Sequence, residues 1–180
     1  GDVPDATQAP KIGGAAAMPC RLAFELASQP DIPSVANVAL AGLFRSTTVD
    51  SGAVLLLPRG FHGTPEGGDL EIVASRSDRE PSYHRMSRFL ATTVLREGEA
   101  VLARNVADDS MLGTRDSKGE IESTSVICAP VRQDNTNIGL VHLYSTSAER
   151  SLDPDDLEFT LAVADNLALA LRNLGRQQEL

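Results

Sequence analysis

The chain has 180 residues, 42% hydrophobic and 23% charged, which is ordinary for one well-buried domain and short for two. Its formal net charge is −9, and aromatics reach only 4% with no Trp. That balance argues against a phosphate-backbone binder, which needs clustered Lys and Arg, and against base-stacking platforms, so no direct nucleic-acid partner is expected.

Residues Gly1 to Gly14 are rich in Pro, Gly and small polar residues and read as a flexible linker. One domain is expected over 15–180. It opens with a helix from Ala15 or Pro19 to Ser28, whose stripe is Met18, Leu22 and Leu26. Asp31 caps the next helix, with Pro33 in its first turn and a buried face of Val35, Val38, Ala39, Gly42 and Leu43. Gly52 to Leu57 is too short for a helix and reads as a buried strand. A glycine-rich loop from Arg59 to Asp69 joins it to a second strand, Leu70 to Ala74.

Ser87 caps a third helix, with Phe89, Leu90, Val94 and Leu95 as its apolar face and Gly98 suited to its left-handed end. Ala100 to Val106 follows as a short strand. The polar stretch from Ala107 to Glu122 is then the longest loop, of a length that is usually functional or disordered. Two β-branched runs, Ser123 to Val131 and Ile138 to Thr146, flank turn formers at Asp134 to Asn137 and form an antiparallel hairpin. Asp153 caps the last helix, about 154–178, with Pro154 first and Asp155 and Asp156 where the helix dipole favours negative charge. That helix reads as the lead into a downstream region. Two stripes run along it, Leu157, Leu161, Ala164, Ala168 and Leu171 beside Val163, Ala170 and Leu174. One packs on the domain and the other meets a second copy, or the two form a single broad face. Small residues at Ala164 and Ala168 favour the dimer.

Strands do not alternate with helices in the βαβα manner, so an α+β sandwich is expected, with helices stacked on an antiparallel sheet. In this order the chain resembles a GAF domain from about Arg21 to Asn173. The segments that carry the resemblance are V-L-L-L in the first strand, S-R-F-L-A-T-T-V-L-R-E-G-E-A-V-L-A-R-N-V, and S-V-I-C-A-P-V with I-G-L-V-H-L-Y-S before D-P-D-D-L. The resemblance implies a sheet in order 2-1-5-4-3 with the terminal helices on one face. It also implies a pocket on the other face, beneath the Ser87 helix and the Ala107 to Glu122 loop. It further implies a sensory or dimerisation module in a larger signalling protein, and the third-helix segment is most similar to GAF domains that follow a forkhead-associated domain in bacterial regulators. The family's cyclic-nucleotide signature is absent. The Cys-His pair that anchors bilins is absent too, Cys128 being followed by Ala129. The loop lacks the cysteines of the methionine-sulfoxide reductases on this fold.

For a ligand, His84, Arg85 and Arg88 gather at the start of the third helix, where guanidinium groups and backbone amides suit an anion, and Arg79 and Arg115 on flanking loops could join them. His142 and Tyr144 share one face of the last strand with Leu140. The bland alternatives are a locally satisfied core histidine and solvated arginines. Cys128 reads as a small core residue, and Asp108 and Asp109 have no partner for acid–base work. No G-x-S-x-G, P-loop or G-x-G-x-x-G occurs, so no catalytic residues are assigned. Cys20 and Cys128 show no metal spacing, which also fits a reduced cytoplasmic setting. No apolar run nears the roughly 20 residues of a membrane span, and no leader pattern opens the chain. The expectation is a non-catalytic regulatory module that binds an unidentified small molecule, forms a homodimer through its terminal helices and controls an output domain in the same polypeptide. No cofactor is named.

Overall fold

The computed structural model describes residues 20–78, 86–104, 125–146 and 150–179. The expected linker and the Ala107 to Glu122 loop lie outside them. Helical residues 20–27 (α1) lead to α2 (Ile32–Ser46), β1 (Ser51–Leu56), a 3-10 turn at Gly67–Asp69 and β2 (Glu71–Ser77). Then come α3 (Arg88–Glu97), β3 (Val101–Ala103), β4 (Ser125–Gln133), β5 (Thr136–Ser145) and α4 (Pro154–Glu179).

The capping chemistry works as the sequence implies. Asp31 is extended, and its carboxylate accepts the Ser34 N–H at 2.9 Å. Hydrogen bonding to Ser34 holds the Asp31 carboxyl below its ordinary range. At α4, Asp153 and Asp156 each accept the other's backbone N–H at 2.9 Å, a reciprocal cap. Asp134 and Asn135 take positive φ, 48° and 65°, as a tight primed turn between twisted strands requires.

All strand pairs are antiparallel, and the sheet order is β2-β1-β5-β4-β3, the order that the resemblance implies. Strand alternation sends Val54, Ile127, Val141 and Leu143 to one face, against Leu22 and Leu26 of α1, Leu40 and Leu43 of α2, and Leu167 of α4. The opposite face sends Val126, Cys128 and Leu140 against Leu90, Ala91, Val94 and Leu95 of α3. Three helices therefore close one side of the sheet, whereas among the described residues α3 alone packs on the other.

Several details depart from the sequence reading. β1 begins and ends one residue earlier than expected, and β2 runs on to Ser77 because Ser75, Arg76 and Ser77 pair with Ala53, Gly52 and Ser51 of β1, beyond a bulge between Val54 and Leu55. Phe89 is 62% exposed and not part of the α3 core face, since Ala91 completes the stripe with Leu90, Val94 and Leu95. In α4 the two stripes merge into one broad face, buried at Val163, Ala164, Ala168, Ala170, Leu171 and Leu174 and half-buried at Leu157 and Leu161. Ala164 and Ala168 bring the helix close to its own chain, where the Ala168 carbonyl accepts from Gln133 Nε2 at 3.1 Å. Their small size is therefore explained within one copy of the molecule.

Candidate functional site

The antiparallel register reads out the floor on the α3 side, because directly paired residues project to the same face. One row across the sheet is Ser77, Ser51, Tyr144, Val126 and Ala103. The next is Ser75, Ala53, His142, Cys128 and Val101. His142 thus stands on the central strand between Ala53 and Cys128, and its imidazole rises above both smaller neighbours. Its ring meets Tyr144 edge to face, with centroids 6.0 Å apart at 66°. His142 is 3% exposed, Ser51 is buried and Tyr144 is half-buried. A purely apolar floor would need none of these polar tips. The rows thus set polar groups among small side chains.

Cys128 is fully buried, and burial pushes its thiol well above the ordinary range. A thiol held neutral in this way is a poor nucleophile and a poor metal ligand. Among the described residues, no group of three or more His, Cys, Asp or Glu could hold a metal ion.

The roof helix is fixed at one end and along one side. Ser87 Oγ accepts the Leu90 N–H at 3.2 Å, and Gly98, at φ 69°, ends the helix by donating to the Val94 carbonyl at 2.8 Å. The β4–β5 hairpin clasps that end. Asn137 Nδ2 donates to the Leu95 carbonyl at 2.7 Å, and the Arg132 guanidinium donates to the Gly98 carbonyl. Along its flank, Thr92 Oγ1 accepts the Gly67 N–H at 2.8 Å. A Cβ at Gly67 would come within 2.8 Å of the Arg88 carbonyl, so glycine permits this close approach of turn and helix.

Of the residues singled out in the sequence, His142 and Tyr144 are brought together on the floor. Arg88 is exposed, and its guanidinium lies over Gly68 on the β1–β2 connection. His84 and Arg115 lie outside the described residues, as do Arg79, Arg85, Asp108 and Asp109. Sequence reasoning missed Ser51 and Ser77. The signal that could have found them is the pairing of β1 with β5, which sets Ser51 opposite Tyr144.

The family's sequence profile, described as GAF domain, matches residues 31–171. The chain belongs to the GAF family. GAF domains are typically sensory or regulatory, and solved structures share the fold at low identity. The chain is similar to the GAF domain of an Acinetobacter phosphoenolpyruvate-protein phosphotransferase, with TM-score 0.68, 14% identity, and 89% of this chain and 94% of that one covered. It is also similar to free methionine-R-sulfoxide reductase from Neisseria meningitidis, solved with its substrate, with TM-score 0.69, 17% identity and coverage of 98% and 96%. A third is the A. aeolicus nlh2 GAF domain in an inactive state, with TM-score 0.62, 14% identity and coverage of 91% and 96%. No curated protein gives a significant sequence match. Among the described residues, no helix of this GAF domain is long and apolar enough to cross a membrane.

Proposed function

We propose that this GAF domain is a non-catalytic sensory module of a bacterial cytoplasmic signalling protein, of the kind that follows a forkhead-associated domain in transcription regulators. It binds a small molecule over the His142–Tyr144 floor and passes the binding event to an output domain through its terminal helices. The observation that carries this reading is the gathering of His142, Tyr144 and Ser51 in register on the face that α3 covers. A core built only for stability would place apolar groups there.

A connection to the output side supports the reading. The turn that clasps α3 also holds α4: Gln133 donates to Ala168, and Arg172 pairs with Asp134 at 3.1 Å. A ligand that moves α3 would shift this turn and bias α4, provided that it binds the two arrangements with different affinity. The test is native mass spectrometry of protein purified from its source, followed by calorimetry with whatever is retained. Binding that His142→Leu weakens at least tenfold supports the reading. A fully folded protein that retains nothing and binds neither nucleotides, tetrapyrroles nor amino acids sinks it.

A second reading, a structural dimerisation module without a ligand, draws support from Phe24 on α1 and Leu169 on α4. They are 80% and 56% exposed.

A further inference from the structure

A second concavity lies away from this floor. It forms where the β1–β2 connection, the β4–β5 turn and the last turns of α4 meet, and it shares no lining residue with the His142–Tyr144 rows. Its volume is about 580 Å³, inside the ~300–1,000 Å³ that small-molecule pockets occupy. Leu57, Phe61, Leu171 and Leu174 supply much of its apolar wall.

The charge of the lining is one-sided. Its charged members are Arg59, Arg172 and Arg176, and no carboxylate is among them. This occurs in a chain with 25 acidic and 16 basic residues. Two of the acidic residues that flank the lining in sequence are engaged elsewhere, and the third pairs with one nitrogen of the lining's own Arg172. Asp31 caps α2 through Ser34 at 2.9 Å, Glu66 pairs with Arg96 at 3.4 Å, and Asp134 pairs with Arg172 at 3.1 Å. Arg176 is exposed and makes no ion pair among the described residues.

Gly175 adds a separate observation. It sits inside α4 and lines the groove, and a Cβ there would meet nothing within 4 Å. Packing within the chain does not require glycine at this position, and glycine weakens a helix interior. The missing side chain leaves the groove open.

We propose that this groove binds an organic anion with an apolar body. The guanidinium groups of Arg172 and Arg176 take its carboxylate or phosphate, and Phe61, Leu57, Leu171 and Leu174 take its hydrocarbon part. Because α4 forms one wall, occupancy would tie the β1–β2 connection to the helix that leads towards the chain's end.

Calorimetric titration of the full chain with decanoate, decyl phosphate and decanol tests the proposal. At least one anion should bind ten times or more tightly than the alcohol, and the stronger of the two names the headgroup. Arg176→Glu, an exposed change, and Gly175→Leu, which fills the groove, should each weaken the anion at least tenfold while leaving the thermal transition in place. His142→Gln should leave anion binding unchanged, which separates this groove from the site over the sheet. The proposal fails if neither anion binds, if decanol binds as well, if both groove variants bind normally, or if His142→Gln removes the binding.

Discussion

At Gly139 a Cβ would run into the carbonyl oxygen of Leu55 and come within 3.0 Å of the Leu56 Cα. The obstacle is backbone and not a flexible side chain, so two central strands would have to part. Gly139→Ala is expected to destabilise the fold by about 1–3 kcal/mol, measured by urea denaturation, and an unchanged midpoint would contradict the account. Asp156 shows two electrostatic effects in opposition. Its place in the first turn of α4 favours negative charge, but partial burial is the stronger effect and raises its carboxyl above the ordinary range. The Asp153 N–H works against that rise, and the charges of Asp153 and Asp155 add to it. A carboxyl raised in the folded state is ionised at a cost at neutral pH, and the cost disappears as pH falls through the folded value towards the unfolded one. Asp156→Asn keeps an acceptor for the Asp153 N–H. The variant should therefore gain on the parent at pH 7, with the gap narrowing as pH drops towards 4. A gap that widens on acidification would reverse the sign of this argument.

Among the elements, α3 is held differently from α4. The longer helix is buried along a broad face against β4 and α2, whereas α3, ten residues long, rests on a four-residue apolar stripe and on hydrogen bonds at its C-terminal end. Local opening should be easiest there. Hydrogen exchange should find α3 amides exchanging well before those of β4, β5 and the middle of α4, and Asn137→Ala should speed exchange at residues 95–98. Equal protection across both helices would count against the distinction. The same contrast explains what could be read in advance. Helix caps at Asp31, Ser87 and Asp153, and the hairpin at Asp134 and Asn135, are written locally as side-chain oxygens and turn formers next to apolar runs. The far end of β2 was not legible, because its pairing with Ser51 to Ala53 of β1 decides it, and the exposure of Phe89 was not, because Ala91 takes its place in the stripe. His142 and Tyr144 could be chosen from alternation within one strand, but their neighbours Ser51 and Ala53 come from a strand distant in sequence. The arginine-lined groove draws on four separate segments, which periodicity within any one of them does not connect.

For the molecule as a whole, the outward sides of the terminal helices remain to be accounted for. α4 uses its alanines within the chain, so association between copies would depend on Phe24 and Leu169, both far more exposed than the core leucines. Sedimentation velocity should show a dimer at high concentration that Phe24→Asp with Leu169→Asp converts to monomer; a parent chain that is monomeric throughout would remove the dimer. The sheet order also carries a consequence for synthesis. β1 pairs on one side with β2, but its partner towards the centre is β5, with Ser51 facing Tyr144. A nascent chain emerging from its N-terminus therefore holds β1 and β2 as a lone hairpin, a marginal structure in water. The middle of the sheet can be filled only after β5 has left the ribosome. Until then β2–β1 and β3–β4 can pair only as two separate halves, so the sheet is completed late, and a chain stopped before residue 136 would leave those halves with nothing between them.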